Sequence, residues 1–374
     1  MKALHLGRTA AVLAVGSLAL TACGSDNATG EAAVAEDSAA GLSGTLTGIG
    51  SSAQNAAMTA WKDGFQDANP EATVRYSPDG SGAGREAFLA GGADFAGSDA
   101  YLDEEEYEAS KQVCGPEGAF HVPAYISPIA VAFNLPGVEF PDGGPSLNLD
   151  GETIAKIFTG EIESWNDPVI AEQNPGVELP GTAITVVHRN DESGTTENFT
   201  EYLSAVAPEV WTEEASGNWP SQWAAENSKG TAGVVRATAD TEGAITYADA
   251  SAVGDLGTVA VQVGDQYVPY SAEAAATAVE ASTPVEGRAE YDMAMELDRT
   301  TAESGAYPIV LVSYEIFCPQ YDSQEVADLA KAFGEYVVSE EGQQAAAEAA
   351  GSAPMSDELR TQAQEALDRI TVAG

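Results

Sequence analysis

Three stretches of this chain share one order of residue types: a short run with strand character, a loop rich in Gly and Ser, and the first apolar positions of a helix. The first passes from the alternating Leu42 to Thr47 through Gly48, Ile49 and Gly50, which are expected to turn the chain, to Ser51 and Ser52. Met58, Trp61, Lys62 and Phe65 follow at helical spacing. The second takes Thr73 to Tyr76 through Pro78, Asp79, Gly80, Ser81, Gly82, Ala83 and Gly84 to a helix carrying Phe88 and Leu89. The third takes Ala183 to Val187 through His188, Arg189, Asn190, Asp191, Glu192, Ser193, Gly194, Thr195 and Thr196 to a helix with Phe199, Tyr202 and Leu203. A helix start presents unpaired backbone N–H groups at the positive end of its dipole, which suits an anion. Ser52 stands where a helix N-cap is expected. Hydroxyls add neutral donors, and Arg189 offers a planar fork that fits a tetrahedral oxyanion. Gly and Ser also build ordinary turns, and a lone Arg commonly serves a surface ion pair. No single loop therefore identifies a site, whereas the three together point to holding a small oxyanion.

Catalytic chemistry has weaker support. A secreted hydrolase is the competing class, but past the N-terminal leader only His121 and His188 are available as bases. No Gly-x-Ser-x-Gly elbow or Ser-x-x-Lys pair accompanies them. His188 is expected to end a strand with its ring partly packed, and His121 to lie in an apolar approach to the next strand. There is no Walker loop and no His/Cys/Asp cluster at ligand spacing, so neither a cofactor nor a metal is expected. The acidic run Asp103 to Glu106 reads as a solvated helix start. Trp211, Trp219 and Trp223 could form a sugar platform, the other binding alternative, but they suit core and surface packing better because the donor-rich loops hold no aromatic.

Lys2 and Arg8 precede an apolar run from Ala10 to Leu20, the layout of an export leader. The run is too short for a stable span and ends in Leu20, Thr21, Ala22 and Cys23, which resembles the lipobox of bacterial lipoproteins. That resemblance implies acylation of Cys23, palmitate included, with residues 1–22 removed and an extracytoplasmic, lipid-anchored location. The alternative is an ordinary cleaved leader with an incidental Cys. Residues 24–40 hold no aromatic and only one large aliphatic residue, Val34, and read as a flexible tether, taken with Cys23 and Gly41 as 23–41. Acidic residues number 59 against 15 Lys plus Arg; without Lys2 and Arg8 the balance is 13 − 59 = −46. Nucleic acid and anionic lipid surfaces are poor partners for such a chain. An anion would be repelled at long range, but exposed charges are screened over about 8 Å, and a buried site is governed by its own donors. With Cys23 assigned to lipid, Cys114 and Cys318 are left as a pair in an oxidising compartment. A disulfide is the simplest account, two buried thiols the alternative.

The chain resembles the phosphate-binding proteins of bacterial phosphate ABC transporters. The likeness spans nearly everything after the tether and rests on 46–52 (LTGIGSS), 81–84 (SGAG), 93–99 (ADFAGSD), 149–165 (LDGETIAKIFTGEIESW), 174–180 (NPGVELP) and the loop from Arg189 to Thr195. The resemblance implies that Ser52 and Ser81 give hydroxyls, Ala53 a backbone N–H, and Arg189, Ser193, Gly194 and Thr195 the remaining donors. It also implies that Asp191 holds Arg189 in place and that Asp99 accepts a hydrogen bond from the ligand. Taken alone, Asp99 would read as a cap after Ser98. Facing an anion, a carboxylate is tolerable only if the anion brings a proton, which phosphate does at neutral pH and sulfate does not. Two positions depart from the pattern. Ala53 replaces a bulky aromatic common in the family, and Glu192 replaces the commonest glycine, which is tolerable only if its carboxylate points to solvent. Arg85, beside the second loop, is expected to have a solvated surface role.

The fold class implied is α/β, the two-lobed periplasmic-binding-protein fold of type II, with two crossovers between lobes. One lobe would take 42–133 and 306–374, with strands at Ile126 to Phe133 and Tyr307 to Ile316 and helices at Val326 to Val338 and Leu359 to Ile370. The other would take 134–305, with a strand at Gly243 to Tyr247. This places Cys114 and Cys318 in one lobe. The expected activity is high-affinity capture of inorganic phosphate by hinge closure and delivery to the membrane permease subunits of an ABC importer. The expected form is a monomer without a cofactor.

Overall fold

The computed structural model describes residues 41–140, 144 and 146–374. The expected leader, Cys23 and the tether up to residue 40 lie outside the described residues. From residue 41 the chain lays down β1 (Gly44–Gly50), α1 (Asn55–Ala68), β2 (Ala72–Ser77), α2 (Ser81–Leu89), β3 (Phe95–Ser98) and α3 (Glu104–Cys114). The β-α-β alternation sets β1 parallel to both β2 and β3. The long β4 (Phe120–Phe133) follows, then β5 (Ser146–Leu149), α4 (Gly151–Thr159), α5 (Pro168–Gln173), β6 (Thr185–Arg189), α6 (Gly194–Val206), β7 (Glu226–Ser228) and α7 (Gly230–Asp240). Next come β8 (Ala244–Asp249), β9 (Gly257–Val263), β10 (Gln266–Val268) and α8 (Ala272–Glu280), and a two-residue pair, β11 (Thr283–Pro284) with β12 (Met295–Glu296). The C-terminal part holds β13 (Val310–Phe317), β14 (Gln320–Tyr321), α9 (Gln324–Val338), α10 (Glu340–Ala350), α11 (Asp357–Leu367) and β15 (Thr371–Val372).

Among the described residues one sheet runs in the order β2-β1-β3-β13-β4-β8-β6-β7, with β9 joined to β4 and carrying β5 and β10. The two most apolar strands lie at its centre. Every residue of β4 and of β13 is buried, as expected for strands covered on both faces. Residues 120–128 of β4 pair with β13, and 129–133 pair with β8, so this one strand joins the two α/β halves. Each half packs its own aromatic core: Trp61, Phe65, Phe95, Phe317 and Phe333 in one, Phe133, Phe158, Trp165, Phe199 and Tyr247 in the other.

Several local expectations shift. Gly48, Ile49 and Gly50 continue β1 instead of turning the chain. A Cβ on Gly48 would lie 2.2 Å from the Phe95 ring, and one on Gly50 would lie 1.9 Å from the Gly97 carbonyl oxygen, so glycine is what lets β1 and β3 approach there. Helix α1 starts two residues later than an N-cap at Ser52 suggested, with Gln54 at its N-cap position. Ser81 to Gly84 are the first turn of α2 rather than loop, entered through Gly80 at φ 112°. Helix α10, rich in Ala, Gln and Glu, has too little apolar periodicity to be foreseen and buries only Gly342, Gln343, Ala346 and Ala350.

Cys114, ending α3, and Cys318, just after β13, form a disulfide with Cα atoms 4.7 Å apart and a separation of 204 positions in sequence. Closing so long a loop removes about 5 kcal/mol of denatured-state entropy in the chain-entropy model. Reduction, or Ser at both positions, is therefore expected to lower the unfolding midpoint by on the order of 5–10 °C in calorimetry. An unchanged midpoint would show that the bridge contributes nothing.

Candidate functional site

The turn between β1 and α1 is shaped by its own serines. Ser51 Oγ accepts the Ala53 N–H at 3.0 Å, and Tyr76 donates its hydroxyl to the Ser51 carbonyl at 2.9 Å. Ser52 turns away from its own helix. Its Oγ accepts the Thr231 N–H at 3.1 Å and lies 3.1 Å from Thr231 Oγ1 at the start of α7. That engagement is why it does not cap α1.

At the second loop, Ser81 Oγ accepts the Asp99 N–H at 3.1 Å, which leaves its own hydroxyl hydrogen free to donate. Asp99 follows β3 and is 3% exposed. Its carboxylate takes one hydroxyl on each oxygen: Ser313 on Oδ1 at 2.8 Å and Thr195 on Oδ2 at 3.1 Å.

Strand β6 extends through His188 and Arg189, and the loop after it turns into α6 with Ser193 as a true N-cap, its Oγ accepting from Thr196 N at 3.2 Å. The next two residues, Gly194 and Thr195, therefore present first-turn N–H groups. Gly194 faces the second loop directly, since a Cβ there would lie 2.7 Å from Ser81 Oγ and 2.8 Å from Asp99 Cβ. Arg189, 2% exposed, donates from Nε to Asp191 Oδ1 at 2.7 Å and from Nη2 to Asp191 Oδ2 at 2.5 Å. This bidentate pair clamps the guanidinium and leaves both Nη1 hydrogens and the second Nη2 hydrogen to donate. Asp191 Oδ1 is further fixed by the Gly230 N–H at 3.1 Å.

The loops of the two halves thus meet at two places: Ser81 and Asp99 against Gly194 and Thr195, and the half-buried Ser52 against Thr231, with Arg189 and Ser193 on the loop that leads into Gly194. The Ala53 N–H lies in the same turn but is already bonded to Ser51. A fourth helix start faces this set: Gly230 and Thr231, the first residues of α7, were missed although Ser228 to Thr231 repeats the strand, Gly/Thr and helix order. Ser313 and Asn198 were also missed. Asn198 donates to the Asp99 carbonyl at 2.7 Å. Both residues sit inside strand or helix patterns that carry no local sign of a site.

The expectation about Arg85 is overturned, and Glu192 takes up an orientation that the sequence left open. Arg85 is not a solvated surface residue: it is 7% exposed and paired with Glu106 at 2.9 Å and Glu192 at 2.8 Å. Glu192 does not simply point to solvent; it turns to that guanidinium with 30% of its side chain exposed. Behind the first loop, Glu315 is fully buried on β13, two residues beyond Ser313 and so on the same strand face. Burial, with Asp99 nearby, pushes its carboxyl well above the ordinary range, although Gln54 opposes this.

The remaining candidates are structural. His121 lies within β4, its Nδ1 2.7 Å from Asp292 and its Nε2 accepting the Leu102 N–H at 2.9 Å. His188 stacks on Trp219, which packs against Trp211 in the core. Asp103 caps α3 in a capping box with Glu106. Among the described residues no group of three or more His, Cys, Asp or Glu is placed to hold a metal, and no helix is long and apolar enough to cross a membrane.

Two carboxyls give the fold a definite pH response. Burial raises Glu197 to about 7 and Asp249 to about 6. Glu197 keeps 28% side-chain exposure while its Oε2 is enclosed without a partner; Arg85 opposes its shift, and Glu201, Glu192 and Glu106 add to it. A carboxyl whose folded value lies above its ordinary one binds its proton more tightly in the folded state. Its contribution to stability is full below the ordinary value of 4.5 for Glu197 or 3.8 for Asp249 and is lost as pH rises through 7 or 6. The unfolding midpoint is expected to climb as pH falls from about 7.5 to about 5. The rise ends where Asp191 loses its charge; its burial is outweighed by the Arg189 hydrogen bonds, which hold its carboxyl below the usual range. A midpoint that falls steadily over that interval would contradict this reading.

A two-halved α/β protein whose facing helix starts enclose a small polar locus is a ligand-capturing binding protein, and a family model described as the PBP superfamily domain matches residues 35–341. Solved structures share the fold. The phosphate-binding protein of Stenotrophomonas maltophilia superposes with a TM-score of 0.65 at 20% identity, covering 86% of this chain and 94% of that one. A high-affinity periplasmic phosphate-binding protein, PfluDING, solved with phosphate bound, gives 0.66 at 22% identity, covering 86% and 93%. Among curated relatives, phosphate-binding protein PstS 3 of Mycobacterium leprae is 38% identical over 345 residues, 89% of this chain and 90% of the relative. PstS 3 of Mycobacterium tuberculosis H37Rv is 35% identical over 381 residues, 99% and 100%. The chain belongs to the PstS family of phosphate-binding proteins.

Proposed function

We propose that this protein captures inorganic phosphate between its two halves and delivers it to the membrane permease subunits of an ABC importer. The observation that carries the reading is the convergence on Asp99. The Asp99 carboxylate takes the Thr195 hydroxyl and its backbone N–H meets the Ser81 hydroxyl, beside the Gly194 start of α6, and the clamped Arg189 opens the loop that leads into that helix. Donors alone would take any oxyanion; a carboxylate among them suits one that still carries a proton. Ser52, Ser81, Arg189, Ser193, Gly194 and Thr195 are the donors, joined by the Ala53 N–H when the ligand replaces Ser51 Oγ as its acceptor, with Asp99 the acceptor and Asp191 the support. Because Arg189 is already neutralised by Asp191, the anion is held mainly by local dipoles, as in other helix-start sites.

The capturing lobes in this reading are 42–133 with 306–374 and 134–305, hinged where β4 and the chain entering β13 pass between them. Closure buries the ligand and presents the shape that the permease subunits recognise. The protein acts as an extracytoplasmic monomer held to the membrane by lipid on Cys23, with 24–40 giving it reach. The test is recovery of the ligand from protein purified without added phosphate, by mass spectrometry and phosphate assay, with calorimetry on residues 42–374. Phosphate is the expected ligand. A sugar or an amino acid recovered instead would overturn the reading.

A further inference from the structure

Arg85 sits one turn into α2, and its partners divide between the two halves. From its own half, Glu106 Oε1 accepts from Nε at 2.9 Å and Ser98 Oγ accepts from Nη1 at 3.1 Å, which orients the guanidinium. From the facing half, Glu192 Oε1 accepts from Nη2 at 2.8 Å, and Glu197 Oε2 lies 3.9 Å away. Glu192 is seated rather than draped over the surface. A Cβ added to Gly82 would fall 0.9 Å from Glu192 Oε2, and one added to Gly217 would fall 2.4 Å from Oε1, so two glycines clear a slot for this carboxylate. Arg189 and Asp191 share one loop, so their pair can survive opening of the cleft. The Arg85–Glu192 pair joins α2 to the loop before α6 and cannot. A second pair across the cleft, Lys229 with Asp79 at 3.0 Å, has side chains 59% and 51% exposed, where such contacts contribute little.

We propose that Arg85 and Glu192 form a latch, an ion pair made on closure and broken on opening, that slows release of the bound anion without touching it. The latch rests on the phosphate reading above. Glu192 is half of a charge-assisted hydrogen bond that exists only in the closed state, so its loss falls on the release rate. Arg85 keeps Glu106, so the variant leaves no uncompensated cation behind.

The test is release of radiolabelled inorganic phosphate from the full chain, chased with excess unlabelled phosphate, for the wild type, Glu192→Gln and Asp79→Asn. Glu192→Gln is expected to release phosphate about ten- to a hundredfold faster with an association rate close to wild type. The sign is informative, because removing a negative charge near an anion would by long-range electrostatics alone slow release. Asp79→Asn is expected to release at the wild-type rate. If the wild type binds phosphate and Glu192→Gln releases it no faster, or Asp79→Asn speeds release equally, the latch is overturned while the phosphate reading stands. A wild type that does not bind phosphate overturns the reading and the latch with it.

Discussion

Replacing Arg189 with Met is expected to weaken phosphate binding about a thousandfold, since it removes charged hydrogen bonds to the anion and also leaves Asp191 as an unpaired, partly buried carboxylate beside it. Asp191 now spends both oxygens on Arg189, with Gly230 N–H on one of them. Without the guanidinium that charge repels the ligand. The double variant Arg189→Met with Asp191→Asn should therefore recover part of the loss, a non-additivity that marks the two as one unit. Arg189→Lys should not restore wild-type affinity, because an ammonium cannot keep the two-pronged contact to Asp191 while reaching the ligand. Calorimetry of the three variants, with circular dichroism to confirm folding, reads these outcomes. Near-wild-type affinity in Arg189→Met would remove Arg189 from the site.

The second large effect concerns selectivity. Phosphate is expected to bind at least about a hundredfold more tightly than sulfate, because sulfate would leave the Asp99 carboxylate facing an anion with no proton to share. Ser313 and Thr195 already donate to the two oxygens of Asp99, which fixes it as an acceptor aimed into the site. Asp99→Asn should bring the preference below about tenfold, since the amide can offer N–H to either anion. The hydroxyls of Ser313 and Thr195 can reverse their roles toward the amide, so the fold should tolerate the change. A phosphate-to-sulfate ratio that stays the same in Asp99→Asn would show that the filter lies elsewhere.

How much of this was legible beforehand differs by residue. The Arg189 to Thr195 loop could be read well, because a strand end, an acidic residue two positions on and a Ser-Gly-Thr helix start are all local patterns, and Ser193 does cap α6. The same local logic misplaced Ser52. A serine at a helix start normally caps it, but here a partner 179 residues away takes the hydroxyl. Gly48 and Gly50 looked like turn residues for a related reason, because glycine signals either a turn or a close approach of neighbouring backbone, and only the position of β3 distinguishes them. Arg85 was misjudged and the orientation of Glu192 stayed open when each was weighed alone, since each finds its partner across the cleft in the other.

By itself the sequence determined the order of strands and helices, the apolar runs that became β4 and β13, the cysteines available to pair, and donor-rich helix starts of the kind that hold an oxyanion. These follow from interactions between residues a few positions apart, where hydrophobic period, capping and turn chemistry act. Only the tertiary structure decided which donors face one another. It set Thr231 on Ser52, Gly194 against Ser81, Ser313 and Thr195 on Asp99, and Glu192 in a slot before Arg85. These contacts join segments 96 or more residues apart, brought together where β4 carries one half of the sheet into the other, and no local propensity encodes them.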